Sequence, residues 1–125
     1  QYWIDNNVIS NYFSGNYSTD AMGFIAKIID QIPNISVITE IEALSWINKD
    51  KNKEFIIKEF ILDSNVLNLN SEIISQTVKI RRSRKIKTPD AIIAATAIVY
   101  NYTLLTNDSD FEHIQSLKLL NPFSI

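Results

Sequence analysis

Short apolar runs alternate along this chain with longer segments in which apolar residues recur every three or four positions. The first pattern reads as strand and the second as amphipathic helix. Tyr2-Trp3-Ile4 is a short apolar run stopped by Asp5-Asn6-Asn7, a strand and then a turn. Val8 to Phe13 predicts a short helical turn, ended by Ser14-Gly15-Asn16. Ser18 or Thr19 can cap a helix with Met22, Ile25, Ile28, Ile29 and Ile32 on one stripe, closed by Pro33-Asn34. Ile35-Ser36-Val37-Ile38 is β-branched and predicts a strand. Thr39 is the next cap, with Glu42 three residues on as a capping box, and Ile41, Ala43, Leu44, Trp46 and Ile47 follow.

Asn48 to Asn52 is a polar connector. Lys53 to Asp63 predicts a helix with Phe55, Ile56, Phe60 and Ile61 inward and charges outward. Val66 to Leu69 is a short strand, and Ser71 caps a helix carrying Ile73, Ile74, Thr77, Val78 and Ile80. Thr88-Pro89-Asp90 is a helix start: a cap, a proline at the first position and an acid in the first turn. From Ala91 to Tyr100 that helix is apolar or small on every side, which marks it as buried. Thr103 to Thr106 returns as a strand and exits into Asn107-Asp108-Ser109-Asp110. Phe111 to Ile114 predicts one helical turn, and Leu117 to Leu120 a last edge strand. Strands alternating with helices imply parallel βαβ units. The expectation is a single α/β domain over residues 1–125, a roughly five-stranded, mainly parallel sheet with helices on both faces.

The chemistry follows from where the acids fall. In a parallel sheet, ligands bind outside the carboxyl ends of the strands. Asp5 ends the first strand, and Glu42 and Asp90 are expected in the first turns of helices that begin at that same edge. The buried helix runs about 20 Å at 1.5 Å per residue, and the strand after it brings Asp108 back beside Asp90. Taken singly, each acid has a plain structural role. Asp90 and Glu42 favour helix N-termini, and Asp5 and Asp108 are ordinary turn residues. Taken together they repel unless a cation balances them. Oxygen donors without Cys or His favour Mg²⁺ or Mn²⁺ over zinc. Such an ion suits hydrolysis of a phosphodiester.

Composition narrows the classes rather than choosing among them. The 125 residues suffice for one core and are too few for two. The net charge of −2 gives no global pull toward nucleic acid or a membrane. Cysteine is absent, which excludes disulfides and thiolate metal sites and fits a cytoplasmic protein. No apolar run approaches the ~20 residues of a membrane span, so no membrane association is expected. Gln1 to Asp5 has no leader pattern, so no signal peptide is expected, and the missing initiator Met leads us to expect residues before Gln1.

The same blocks resemble a known family. Tyr2-Trp3-Ile4-Asp5-Asn6-Asn7-Val8-Ile9 is similar to the opening of PIN domains, and Ser36-Val37-Ile38-Thr39-Glu40-Ile41-Glu42 to their second block. Thr88-Pro89-Asp90-Ala91-Ile92-Ile93-Ala94-Ala95-Thr96-Ala97 resembles the third and is the most specific. Leu104-Leu105-Thr106-Asn107-Asp108-Ser109-Asp110-Phe111 resembles the fourth. The order is right and the blocks span the chain, most like VapC-type toxins of bacterial type II toxin–antitoxin pairs. The resemblance implies a three-layer α/β/α fold and a metal-dependent endoribonuclease. It implies Asp5, Glu42, Asp90 and Asp108 as metal-holding catalytic acids, Asn7 and Thr106 as supporting polar groups, and one or two Mg²⁺ or Mn²⁺ ions. It also implies an RNA substrate, a cognate antitoxin with a basic side chain for the acidic pocket, and a homodimer. Asn6 departs from the family's usual Thr. Asp110 competes with Asp108 and is a further metal candidate, while Glu40 points to a different side from Glu42.

Five cations, Arg81, Arg82, Arg84, Lys85 and Lys87, precede Asp90. They read either as a solvated helix end that complements the dipole or as a phosphate track for RNA. His113 is the only histidine and reads as a loop or helix-end residue, since one His builds neither a triad nor a zinc site. Trp3, Trp46 and the helically spaced Phe residues read as core. Two rivals stand beside the nuclease: a non-catalytic PIN-like module that binds RNA or protein, and a phosphatase with Asp5 as nucleophile. The second usually needs another Asp two residues on, where this chain has Asn7.

Overall fold

In the computed structural model, which describes residues 1–125, five three-residue strands form one wholly parallel sheet. In chain order the elements are β1 (Tyr2–Ile4), α1 (Asn6–Phe13), α2 (Thr19–Ile29), β2 (Asn34–Ser36), α3 (Val37–Leu44) and α4 (Lys51–Asp63). Then come β3 (Asn65–Leu67), α5 (Ser71–Ser83), α6 (Thr88–Tyr100), β4 (Thr103–Leu105) and β5 (Lys118–Leu120). Short 3-10 turns lie at Ser109–Phe111 and Pro122–Ser124. The strand order is β3-β2-β1-β4-β5, so β1 is central and the order reverses direction between β1 and β4.

Side chains of a strand alternate between faces, and here the alternation divides the core in two. Ile4, Ile35 and Leu105 pack with Val8, Ile9, Ala21, Ile25, Ile57, Phe60 and Ile61, the face covered by α1, α2 and α4. Trp3 and Leu104 pack with Ile73, Ile80, Phe111 and the small residues of α6 on the other face. The three-layer α/β/α expectation therefore holds. Helix α6 is deeply buried, with Ala91, Ile93, Ala94, Ala95, Thr96 and Ala97 all inside. Its alanines let it lie close on the sheet, and α5 packs along it.

Several boundaries differ from the sequence expectation, for local reasons. The strand expected over 35–38 is β2 at Asn34–Ser36, and α3 begins at Val37. Ser36 is the cap, its Oγ accepting from the Ile38 N–H at 3.0 Å. Thr39 therefore lies inside the helix, fully buried, with no partner for its hydroxyl, and the capping box with Glu42 is absent. The first turn of α3 holds Glu40, not Glu42. A β-branched run looks like strand, but a well-placed hydroxyl starts a helix three residues sooner.

Asp5 caps α1 and starts it at Asn6 rather than Val8, and Asn70 rather than Ser71 caps α5. Thr88 is the first residue of α6, whose cap position, Lys87, makes no side-chain cap bond. Strand β3 ends at Leu67, β4 at Leu105, and the turn expected over 111–114 is Ser109–Phe111. Ile32 lies beyond α2, exposed, with φ of 56°. Ile41, Leu44, Trp46, Ile47, Phe55, Ile56, Ile74 and Val78 were expected to face inward, and all are exposed. Trp3 and Phe60 are core as expected, but Trp46 and Phe55 are not.

Candidate metal centre

Asp5 follows β1 and lies against the end of β4. Its backbone N–H donates to the Leu105 carbonyl at 3.1 Å, continuing the parallel ladder by one bond. Both carboxylate oxygens are engaged. Oδ1 accepts from the Asn6 N–H at 2.8 Å and so caps α1; Oδ2 accepts from Asn7 Nδ2 and Thr106 Oγ1, each at 2.9 Å. A carboxylate offers about four acceptor positions, so capacity remains.

Thr106 joins the first acid to the fourth. Its hydroxyl donates to Asp5 and accepts from the Asp108 N–H and from Asn7 Nδ2, both at 3.1 Å. Asn7 closes the ring by accepting from the Asn107 N–H at 3.2 Å. Asp108 in turn caps the 3-10 turn, accepting from the Asp110 N–H at 2.9 Å.

Asp90, in the first turn of α6, meets this loop. One carboxylate oxygen from each of Asp90, Asp108 and Asp110 lie within 4.8 Å of one another. Asp5 and Glu42 are outside that trio but inside its field. Burial pushes Asp5 up to about 6, against the bonds from Thr106 and Asn6, and the charges of Glu42 and Asp90 push it further. Glu42 is raised by burial and then by Asp90. Asp90 is raised by burial and then by Asp108 and Asp110, with Lys87 opposing. Acids from four separate stretches thus interact at the carboxyl edge of the sheet, beside the point where its strand order reverses.

No lysine or arginine forms an ion pair with them, and the opposing charge of Lys87 on Asp90 is outweighed by burial and the neighbouring acids. The ion pair of the molecule is Lys51–Glu54 at 2.9 Å, on α4. Crowded carboxylates left unpaired fit a hard divalent cation, because oxygen-only donors match Mg²⁺ or Mn²⁺. Glu40, in the first turn of α3, lies on a different side of that helix from Glu42.

The cations before α6 divide by environment. Arg81, Arg82, Lys85 and Lys87 are exposed and Arg84 is half-buried. Arg81, Arg84, Lys85, Ile86, Lys87 and Asp110 line a cavity of about 390 Å³, so a basic recess adjoins the acidic trio. A second cavity, about 290 Å³, opens beside Glu42 and includes Trp46 and Ile57. His113 is exposed, on a loop, with φ of 65°. Capping patterns pointed to some of these residues, but nothing local in the sequence marks the three bonds that Thr106 makes, because two of its partners lie about a hundred positions away.

The model of the PIN domain family matches residues 2–117. Among solved structures, a toxin–antitoxin complex from Klebsiella pneumoniae is 26% identical, with TM-score 0.73 and 100% of both chains covered. VapBC2 from Rickettsia felis, bound to a DNA fragment from its promoter, is 20% identical, with TM-score 0.78 over 96% of this chain and 97% of that one. FitAcB from Neisseria gonorrhoeae is 19% identical, with TM-score 0.76 over 100% of both chains. No curated protein sequence matches the chain.

Proposed function

The chain belongs to the PIN domain family, and from that premise we propose that it is a metal-dependent endoribonuclease and the toxin of a toxin–antitoxin pair. The observation that carries this reading is the group of acids without an ion-pair partner at the sheet edge, with Asp90, Asp108 and Asp110 in mutual reach and Asp5 and Glu42 in their field. Asp5, Glu42, Asp90 and Asp108 would hold Mg²⁺ or Mn²⁺, with Asp110 as a further ligand. When bound, such an ion lowers the pKa of coordinated water and neutralises a phosphoryl group.

The chain's own residues do the rest. Thr106 and Asn7 fix the Asp5 carboxylate in one orientation and tie it to the backbone of Asp108. Arg81, Lys85 and Lys87 line the recess beside Asp110 and would seat RNA phosphates, while Arg82, exposed on α5, is not part of its lining and would add only to the charge of the same stretch. Single-stranded RNA is the substrate class that needs no groove reading here.

The partner is an antitoxin, by analogy with the Klebsiella complex. It would cover the exposed apolar side chains of α3, of α4 and of the connector between them, where Trp46 lies, and set a basic side chain against the acids from the cavity beside Glu42. A homodimer and a cytoplasmic location complete the reading. No helix is long and apolar enough to cross a membrane.

The test is cleavage of single-stranded RNA by the purified chain with Mn²⁺, with EDTA, and as Asp90→Asn. Cleavage that EDTA stops and Asp90→Asn reduces by two or more orders of magnitude supports the proposal. Undiminished cleavage by Asp90→Asn removes it. Tight RNA binding with no cleavage under any metal would instead favour a non-catalytic module.

A further inference from the structure

Arg84 behaves unlike the other cations around it. Helix α5 ends at Ser83, and Arg84 leaves it in extended backbone, its N–H donating to the Ile80 carbonyl at 3.2 Å. From there the guanidinium crosses to the loop after β4. Nη1 donates to the Glu112 carbonyl at 2.8 Å and Nη2 to the Asp110 carbonyl at 3.2 Å. It makes no ion pair with any carboxylate. The two carbonyls straddle Phe111, which is fully buried; one lies in the turn that Asp108 caps and the other on the residue that closes it.

We propose that Arg84 is a positioning residue for the metal centre, a clamp that holds the Asp108–Asp110 turn against Asp90. The inference rests on the reading of these acids as metal ligands. Three attachments fix the turn: Phe111 anchors it in the core, Thr106 accepts from the Asp108 N–H, and Arg84 grips its outer carbonyls. The backbone just beyond needs holding. His113 and Ser116 have φ of 65° and 70°, a region that residues with a Cβ keep only when their surroundings enforce it. A planar guanidinium can bridge two carbonyls two residues apart, which the single ammonium of lysine does not reproduce.

Electrostatics and geometry predict opposite signs here. Removing a positive charge near a cation site should tighten cation binding. Loosening the support behind metal ligands should weaken it, typically by about 10- to 100-fold.

The experiment is a calorimetric titration of the full chain with Mn²⁺, with melting temperatures recorded alongside. It compares wild type, Arg84→Gln, Arg84→Lys and Lys79→Gln, the last an exposed charge on α5 that makes no hydrogen bond to the turn. The clamp predicts Mn²⁺ binding weakened roughly 10- to 100-fold in both Arg84 variants, with Lys79→Gln near wild type. Should Arg84→Gln fail to fold, Arg84→Lys carries the comparison. Wild-type or tighter Mn²⁺ affinity in the folded Arg84 variants overturns the clamp and leaves the metal site standing. A wild type that binds no Mn²⁺ overturns the metal reading and the clamp with it.

Discussion

Asp5 is a buried carboxylate whose two oxygens already serve the fold, one as a helix cap and one in the ring with Asn7 and Thr106. Without metal its ionised form is disfavoured, by burial first and neighbouring acids second. The sign of the pH effect follows. A folded-state pKa of about 6, above the ordinary 3.8, means the native state binds the proton more tightly than the unfolded chain. That contribution is complete below about pH 4 and is lost as pH rises through 6. For Asp5 it amounts to about 3 kcal/mol at most, at 1.36 kcal/mol for each tenfold change in proton affinity. Glu42 and Asp90 act in the same direction. In EDTA the melting temperature should therefore fall between pH 5 and pH 7, and Mn²⁺ added at pH 7 should restore it. Scanning calorimetry at both pH values checks this, and a metal-free melting point that rises over the interval would contradict it.

Helix α3 carries Glu42 and owes its start to one hydroxyl. Ser36→Ala removes the bond to the Ile38 N–H in a buried setting, at a cost of about 1 kcal/mol. The urea midpoint should fall accordingly, with an unchanged slope. The same helix shows where sequence reading succeeds and where it does not. The alternation of apolar runs and amphipathic segments revealed five strands and six helices in the right order. The all-apolar stretch after Asp90 revealed α6, because nothing but burial explains it. The cap of α3 was misassigned because Ser36 and Thr39 offer the same chemistry, and only the fold distinguishes them. Ile41, Leu44, Trp46 and Ile47 looked like core because periodicity reports an apolar face, not what covers it. The approach of Asp5, Asp90 and Asp108 was legible from topology, since each sits just past a strand or in the first turn of a helix, whereas Glu42 lies in the second turn of α3. The Arg84 contacts were not, since guanidinium–carbonyl bonds across 26 and 28 positions leave no pattern.

Over the whole molecule, charge is arranged rather than abundant. A net charge of −2 hides an acidic edge beside a basic recess. RNA affinity should therefore depend on salt through a few contacts. Replacing Arg81, Lys85 and Lys87 together with Ala should lower the slope of log affinity against log salt by about 2, at roughly 0.7 per neutralised phosphate of a single strand. Fluorescence anisotropy with a short RNA in EDTA, between 50 and 200 mM salt on the order used for such slopes, measures it without cleavage. A slope equal to wild type would assign those cations to the surface alone.

The central strand β1 has β2 on one side and β4 on the other, with Tyr2 opposite Thr103 and Ile4 opposite Leu105. The second edge of β1 is thus paired only by residues about a hundred positions further along the chain. Asp5 gains Thr106, and Asp90 gains Asp108, only once the residues beyond β4 are in place. On the proposed reading, a fragment that stops short of Thr106 lacks Asp108 and Asp110 and leaves Asp5 without its hydroxyl partner, so the acidic cluster has no complete form in it.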